Sequence, residues 1–255
     1  MAEAHPSTIE AKAGALTLAK LLKIERIEKR PLKECMKILH SAVFPVAYKS
    51  AFFEMIYANN YHGMNLQSLF NGILVGVICA RLELDKGAQQ VAPSVGGESS
   101  SAVGGSMEKF DASGEVEKLS GALEALAIRP HAKNSSASAS NDLSFRCYIM
   151  TLGVLPQYRG IGIASALLQQ SMANLEDFVR LRNEASTQPG KPKEKMRIRE
   201  IALHVQVDNK AAIAFYTKRG FAIVERITDY YTSIEPKDAY LLTANFPLAH
   251  EAAAK

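Results

Sequence analysis

The sequence predicts a mixed α/β fold, and three observations carry that prediction. Short runs rich in β-branched and aromatic residues alternate with segments whose apolar residues recur every three or four positions. Asn71 and Gly72 divide the stretch from Leu66 to Leu84 into two such β-rich runs, the commonest signal for a two-residue hairpin. A strand-like segment, "RCYIMTLGVL", leads into "YRGIGIASALL", Tyr158 to Leu168, where two glycines one residue apart precede a helical run.

The elements follow in chain order. In "RPLKECMKILHSAVF" the apolar residues Leu32, Met36, Leu39 and Val43 are spaced by three and four, which predicts an amphipathic helix ending near Pro45. "AFFEMIYANN" predicts a second, short helix. The Asn-Gly hairpin comes next, then the "RCYIMTLGVL" strand, the glycine stretch with its helix, and "EIALHVQV" as a strictly alternating strand. "NKAAIAFYTKRGF" predicts a helix closed at Gly220 by a glycine cap, and two further β-rich runs finish the ordered part.

Composition sets the bounds. The chain has 255 residues, 47% of them hydrophobic, enough for one large or two small domains with a core. A net charge of +4 with 22% charged residues gives no strong pull toward nucleic acid or an anionic membrane. Cys35, Cys79 and Cys147 are far apart and odd in number, which fits neither a disulfide framework nor a clustered zinc site, so no metal is expected. With no apolar window of transmembrane length and no secretory leader pattern, the expected location is cytoplasmic or nuclear.

Residues 1–23 read as an extension and 248–255 as a tail. Between them, 24–247 read as a single domain interrupted twice. The first interruption, about 86–144, is small, polar and glycine-rich, and is expected to be disordered, with one leucine-containing patch at Gly114 to Ile128 in helical spacing. The second, about 182–197, carries two prolines and a basic cluster and reads as a loop.

Glycines at a strand-to-helix junction let a phosphate approach the main chain where the helix's first amides and partial positive charge point outward. A bare pair of glycines more often serves only a tight turn and close packing. No Lys-Ser or Lys-Thr follows for a P-loop, and no full GxGxxG is present.

"RGIGIA", Arg159 to Ala164, resembles the R/Q-x-x-G-x-G/A signature of the GCN5-related N-acetyltransferase (GNAT) family. The order of elements around it is similar to the whole family fold. Four further blocks, "FPVAY", "YIMTLG", "LHVQVDNKAAIAFYTKRGF" and "DYYTSIEPKDAYLL", resemble the catalytic subunit of NatE-type protein N-terminal acetyltransferases. The Golgi NatF type shares the tyrosine-rich end but not "IEPKDA", and this sequence is not expected to carry that type's membrane-binding C-terminal helix. The resemblance implies a mixed, mostly antiparallel sheet flanked by helices. It also implies acetyl-CoA as co-substrate and transfer of acetyl to the α-amine of proteins beginning with Met and a hydrophobic residue.

Acetyl transfer needs a neutral amine, so an α-ammonium with pKa near 8 must lose a proton. In "EIALHVQV" the residues Ile201, Leu203, Val205 and Val207 share one face, leaving Ala202, His204 and Gln206 on the other. The same period groups Tyr148 with Met150 and Leu152, away from Cys147, which reads as core. A core histidine and a packing tyrosine are the ordinary explanation. The resemblance implies instead that Tyr148 and His204 are catalytic and hold a water that accepts the proton, with direct attack on the thioester.

For the co-substrate the resemblance implies pairing of the pantetheine arm with Leu152, Gly153 and Val154. It implies a diphosphate cradle of Arg159, Gly160, Ile161, Gly162, Ile163, Ala164 and Ser165, and further contacts from Asn209, Ala212, Phe215 and Tyr216. Tyr216 would protonate the leaving thiolate, although packing against the helix explains it nearly as well. For the peptide it implies Phe44, Pro45, Val46 and Tyr48 with Met150, Tyr230 and Tyr231, together forming an apolar pocket for the first methionine and hydrogen-bonding the peptide backbone; tyrosines suit such work. Among carboxylates only Asp229 is close in sequence, unlike a polyamine or lysine site. Implied partners are N-terminal peptides, the auxiliary and catalytic subunits of the NatA complex, and the ribosome through them; no direct nucleic acid or membrane contact is expected. A lysine acetyltransferase of the same fold and a non-catalytic CoA-binding scaffold are the competing readings.

Overall fold

The computed structural model describes residues 21–27, 33–58, 60–84, 142–187 and 194–248. The elements are β1 (Leu22–Arg26), α1 (Lys33–Val43), α2 (Ser50–Ala58), β2 (Leu66–Phe70), β3 (Ile73–Leu84), β4 (Leu143–Val154), α3 (Ile163–Ala185), β5 (Met196–Gln206), α4 (Lys210–Thr217), β6 (Ala222–Ile227) and β7 (Ala239–Asn245). The strands form one seven-stranded sheet in the order β1-β2-β3-β4-β5-β7-β6. It is mixed: β4 and β5 are parallel, while β1 with β2, β2 with β3, β5 with β7 and β6 with β7 are antiparallel. Helices connect and flank it, as the sequence predicts. No helix among the described residues is long and apolar enough to cross a membrane.

The described residues form two compact units, those within 1–81 with 149–178, and those within 82–148 with 179–248. The chain of β3, of β4 and of α3 each passes from one into the other.

In the first unit the β2–β3 hairpin turns at Asn71 and Gly72, with φ of 48° and 81°. Both lie in the left-handed region that a two-residue primed turn requires, which is why Asn-Gly serves there. A register shift at Ser68/Leu69 in β2 stands opposite Gly76, where a Cβ would come 2.6 Å from Ser68 Oγ. The core of this unit gathers Ile27, Met36, Leu39, Phe52, Phe53, Ile56 and Val77, each large side chain contributing about 1.5–3 kcal/mol by leaving water. Asn60 pins the loop before β2: its amide donates to the carbonyls of Ile27 and Asn65 at 3.1 and 2.8 Å and accepts from Asn65 N–H at 2.9 Å.

In the second unit β5 buries Ile201, Leu203 and Val205, each under a tenth exposed, beside β7. Asn209 caps α4, accepting from Ala212 N–H at 3.1 Å, and Gly220 at φ 85° ends the following turn.

Four boundaries differ from the sequence reading. Leu22 and Lys23 are not part of an extension; they belong to β1 and pair with Phe70 and Leu69 of β2. Leu143 and Ser144 do not belong to the insertion, because they open β4 opposite Met196 and Arg197. The polar loop is shorter at both ends: α3 continues through Ala185 and β5 begins at Met196. Asn183 ties those ends, donating to Met196 O and accepting from Met196 N–H at 2.9 and 2.8 Å. Polar composition marked these residues as loop, yet helix continuation and strand pairing claim them. The helical patch at Gly114 to Ile128, Leu32, and nearly all of 1–23, 86–144 and 248–255 lie outside the described residues.

Candidate active site

Parallel pairing of β4 and β5 places Tyr148 opposite Ala202, two residues before His204. Tyr148 Oη lies 2.9 Å from His204 Nδ1 and 3.2 Å from Tyr230 Oη. The Tyr230 ring stacks on the imidazole, with centroids 4.5 Å apart and planes 12° from parallel. Among the described residues no hydrogen-bond partner meets the other, buried nitrogen of His204, Nε2. Burial holds the imidazole pKa down to about 4, the Arg146 guanidinium adds to that, and Glu83 opposes it. His204 is therefore neutral at pH 7. Arg146 itself is held by Glu83 at 2.8 Å and Glu200 at 3.9 Å.

The segment between β6 and β7 brings Tyr230 there. Asp238 receives both Arg226 Nε and Nη2, at 3.0 and 2.7 Å, and the Asp229 N–H at 3.2 Å. Gln206 donates to Pro236 O at 2.8 Å and Tyr231 N–H to Lys237 O at 2.8 Å. Tyr231 meets Tyr230 edge-on at 4.9 Å, and burial raises its phenol pKa.

On α4, Asn209 is engaged as the cap. Ala212 donates to it through its N–H. Arg219 covers the Phe215 ring at 3.7 Å and donates to Phe215 O at 2.7 Å. Tyr216 is buried edge-on between Phe215 and Phe221, and burial raises its phenol pKa so that it stays protonated. Cys147 is fully buried with its thiol pushed up to about 12, an inert core position.

In the first unit, β4 ends at Leu152, Gly153 and Val154. A Cβ on Gly153 would come 2.6 Å from Phe44 Cζ and 2.6 Å from Val43 Cγ1, so Phe44 packs directly on the strand's backbone. Arg159 Nε donates to Val154 O at 2.9 Å and folds the turn back on the strand. Gly160 and Gly162 adopt φ of 79° and 91°, and a Cβ on either would meet nothing within 4 Å. Ala166 N–H bonds back to Gly162 O at 3.0 Å, so the amides of Ile163 and Ala164, earlier in the turn, face out of the helix's N-terminal end. Ile161 is exposed and Ser165 half-buried beside them. Open space over bare backbone at a helix N-terminus fits a diphosphate group.

Phe44, Pro45, Val46 and Tyr48 form the connection from α1 to α2, and Phe44 and Tyr48 stand 5.8 Å apart edge-on. Met150 and Tyr48 pack against the first unit's core.

The region that matches the acetyltransferase (GNAT) domain family spans residues 121–223 and so includes Tyr148, the glycine turn, His204 and Tyr216. The chain carries a GNAT acetyltransferase domain. This GNAT chain is similar to N-alpha-acetyltransferase 50 of Danio rerio, 26% identical over 207 residues that cover 81% of the chain and 79% of that protein. Among solved structures it is similar to Arabidopsis thaliana Naa50 in complex with the bisubstrate analogue CoA-Ac-MVNAL, with a TM-score of 0.52 and 27% identity over 89% of this chain and 99% of that one. Arabidopsis thaliana NAA60 in complex with acetyl-CoA, 21% identical with a TM-score of 0.52 over 88% and 99% of the two chains, shares the GNAT fold. Among the described residues of the GNAT chain, no group of three or more His, Cys, Asp or Glu side chains is placed to hold a metal ion.

The structure brings Tyr148, His204 and Tyr230 together, whereas the sequence separates Tyr230 from the pair as a peptide contact. Asn209 and Phe215 each have a role within α4 that stands without a ligand. His40, in the apolar stripe of α1, escapes the sequence reading; its only signal is a polar residue one turn before Phe44 on a buried face.

Proposed function

We propose that this protein transfers acetyl from acetyl-CoA to the α-amine of protein N-termini, preferring Met followed by a hydrophobic residue. The observation that carries the proposal is the Tyr148–His204 bond of 2.9 Å, closed by Tyr230. It supplies a neutral, polar acceptor group beside the Arg146–Glu83 ion pair. Support for the substrate class comes from the similarity to a Naa50 bound to CoA-Ac-MVNAL, whose peptide begins Met-Val.

In the proposed reaction the free amine attacks the thioester carbonyl. The N–H of the resulting tetrahedral species is far more acidic than the starting ammonium, so a weak base suffices to take it. Tyr148 and His204 hold the water that accepts this proton and passes it to solvent, the C–S bond breaks, and the departing thiolate, accepting a hydrogen bond from the protonated Tyr216 hydroxyl, takes its proton from solvent. The turn from Arg159 to Ser165 takes the diphosphate on outward amides, and β4 from Leu152 to Val154 pairs with the pantetheine amides. Phe44, Pro45, Val46, Tyr48 and Met150 receive the methionine side chain, while Tyr230 and Tyr231 hold the peptide backbone. We place the protein in the cytoplasm or nucleus, with NatA-complex subunits as candidate partners.

A peptide that offers both a free Met-Leu N-terminus and an internal lysine tests this directly. Fragmentation of the product should place the acetyl group on the α-amine; acetyl on Nζ alone contradicts the proposal in favour of a lysine acetyltransferase. Binding of acetyl-CoA without turnover on any peptide contradicts it in favour of a scaffold.

A further inference from the structure

His40 lies on α1 one turn before Phe44 and is 1% exposed. Its Nδ1 is 2.8 Å from the Met36 carbonyl oxygen. A carbonyl only accepts, so Nδ1 carries the proton and Nε2 is left as an acceptor. Nε2 stands 3.4 Å from Thr151 Oγ1, whose hydroxyl donates to it. One imidazole thus connects α1 to β4, between Met150 and Leu152.

Four aromatic rings surround it. Phe44, Tyr48, Phe52 and Phe53 lie 5.2, 5.1, 5.5 and 5.2 Å from its centroid. Phe52 and Phe53 belong to the core of the first unit. Phe44 and Tyr48 bound the connecting segment, and Phe44 also rests on Gly153. The imidazole therefore has its polar edges fixed by the helix and the strand, and its remaining surface fixes the two rings that bracket residues 44–48. Burial keeps it neutral, with a pKa held down to about 4, so this arrangement persists across physiological pH.

We propose that His40, bonded to Met36 O and Thr151 Oγ1 and packed against Phe44 and Tyr48, is a positioning residue that sets how the 44–48 segment stands over β4 and thereby which first side chain the peptide site accepts. The proposal rests on the peptide-acetylating function above. His40 touches no reacting atom; it acts through Phe44 and Tyr48.

Two variants probe the same bond from opposite ends. His40→Phe keeps a ring of similar size and loses both hydrogen bonds, while Thr151→Val removes only the hydroxyl. In each, KM for a Met-Leu peptide should rise about tenfold, and the preference for Met over Ala at the first position should narrow. KM for acetyl-CoA and kcat should stay within about twofold. His40→Gln, which can donate and accept, should recover most of the peptide KM. The ring nitrogens of His40 in the wild-type protein should report the Nδ1-protonated neutral tautomer at pH 7.

Folded variants with unchanged peptide KM and unchanged first-residue preference would overturn this proposal alone. So would parallel loss of both KM values and kcat, the pattern of a merely structural residue, or an Nε2-protonated tautomer. A folded wild-type protein that acetylates no free N-terminus would overturn the function itself and this inference with it.

Discussion

Tyr148 Oη bridges His204 Nδ1 and Tyr230 Oη, at 2.9 and 3.2 Å, so residues separated by 56 and 82 positions in the chain share one hydroxyl. A hydroxyl has one proton and two lone pairs, so it can donate to one neighbour while accepting from the other. The chain of three groups then transmits a proton's position in either sense without moving a heavy atom.

Removing the central hydroxyl should hurt more than removing the terminal one. Tyr148→Phe is expected to lower kcat by about 10²-fold or more. Tyr230→Phe keeps the 4.5 Å stack on His204 and loses the 3.2 Å bond to Tyr148, so a loss of about three- to tenfold is expected. The double variant should be little worse than Tyr148→Phe alone, because both changes break the same chain. Steady-state kinetics of the three enzymes check this; equal single losses that multiply would contradict it.

Gly153 gives a packing prediction. Because an added Cβ would come within 2.6 Å of both Phe44 and Val43, Gly153→Ala should displace the 44–48 segment and lower stability by about 1–3 kcal/mol. Peptide KM should rise. Denaturant unfolding and peptide kinetics measure the two effects.

The glycine turn gives another. Gly162 holds φ 91° with open space where a Cβ would sit, so Gly162→Ala costs about 1 kcal/mol through its backbone rather than through a clash. The turn should relax away from its geometry, raising KM for acetyl-CoA about tenfold while peptide KM changes little. Calorimetric titration with acetyl-CoA should show the same loss.

Three buried histidines make stability depend on pH. His40, His62 and His204 are each pushed from 6.5 down to about 4, burial being the largest cause in every case. Between pH 6.5 and about 4 the unfolded chain binds protons at these positions that the folded chain refuses. Stability is thus fully present above pH 6.5 and is lost as pH falls through that window, by at most about 1.4 kcal/mol per pH unit for each histidine. Thermal melts from pH 8 to 4.5 should show Tm constant above 7 and falling below 6. By the same reasoning, His204 does not titrate where the substrate's α-ammonium does, so the alkaline-rising limb of activity should follow the amine.

The hairpin, β4, β5 and α4 are legible in the sequence because local chemistry decides them: Asn71-Gly72 dictates a primed turn, alternation from Ile201 to Gln206 dictates a strand with His204 off its apolar row, and Gly220 closes α4. Strand β1 is not legible in that way. "LKIER" is five residues long with charges at three positions, and pairing with β2 rather than propensity holds it. Ser144 and Arg197 are likewise polar residues claimed by the β4–β5 ladder. At the site, period two gives the strand faces of Tyr148 and His204 and the family resemblance pairs them, but the place of Tyr230 depends on how Arg226 and Asp238 fasten a segment with no regular pattern. His40 is hidden for a different reason: a polar residue inside an apolar stripe signals an exception, and only the distances to Met36 O, Thr151 and the surrounding rings say what the exception does.

The most direct measurement compares acetyl transfer from acetyl-CoA to a free Met-Leu peptide with transfer to its N-blocked, lysine-containing twin, using the wild-type protein and His204→Ala. The account predicts rapid transfer to the free N-terminus, negligible transfer to the blocked twin, and a loss of about 10²-fold or more in the variant with acetyl-CoA binding retained. Transfer to the blocked peptide at a comparable rate, or a His204→Ala enzyme as fast as wild type, would contradict it.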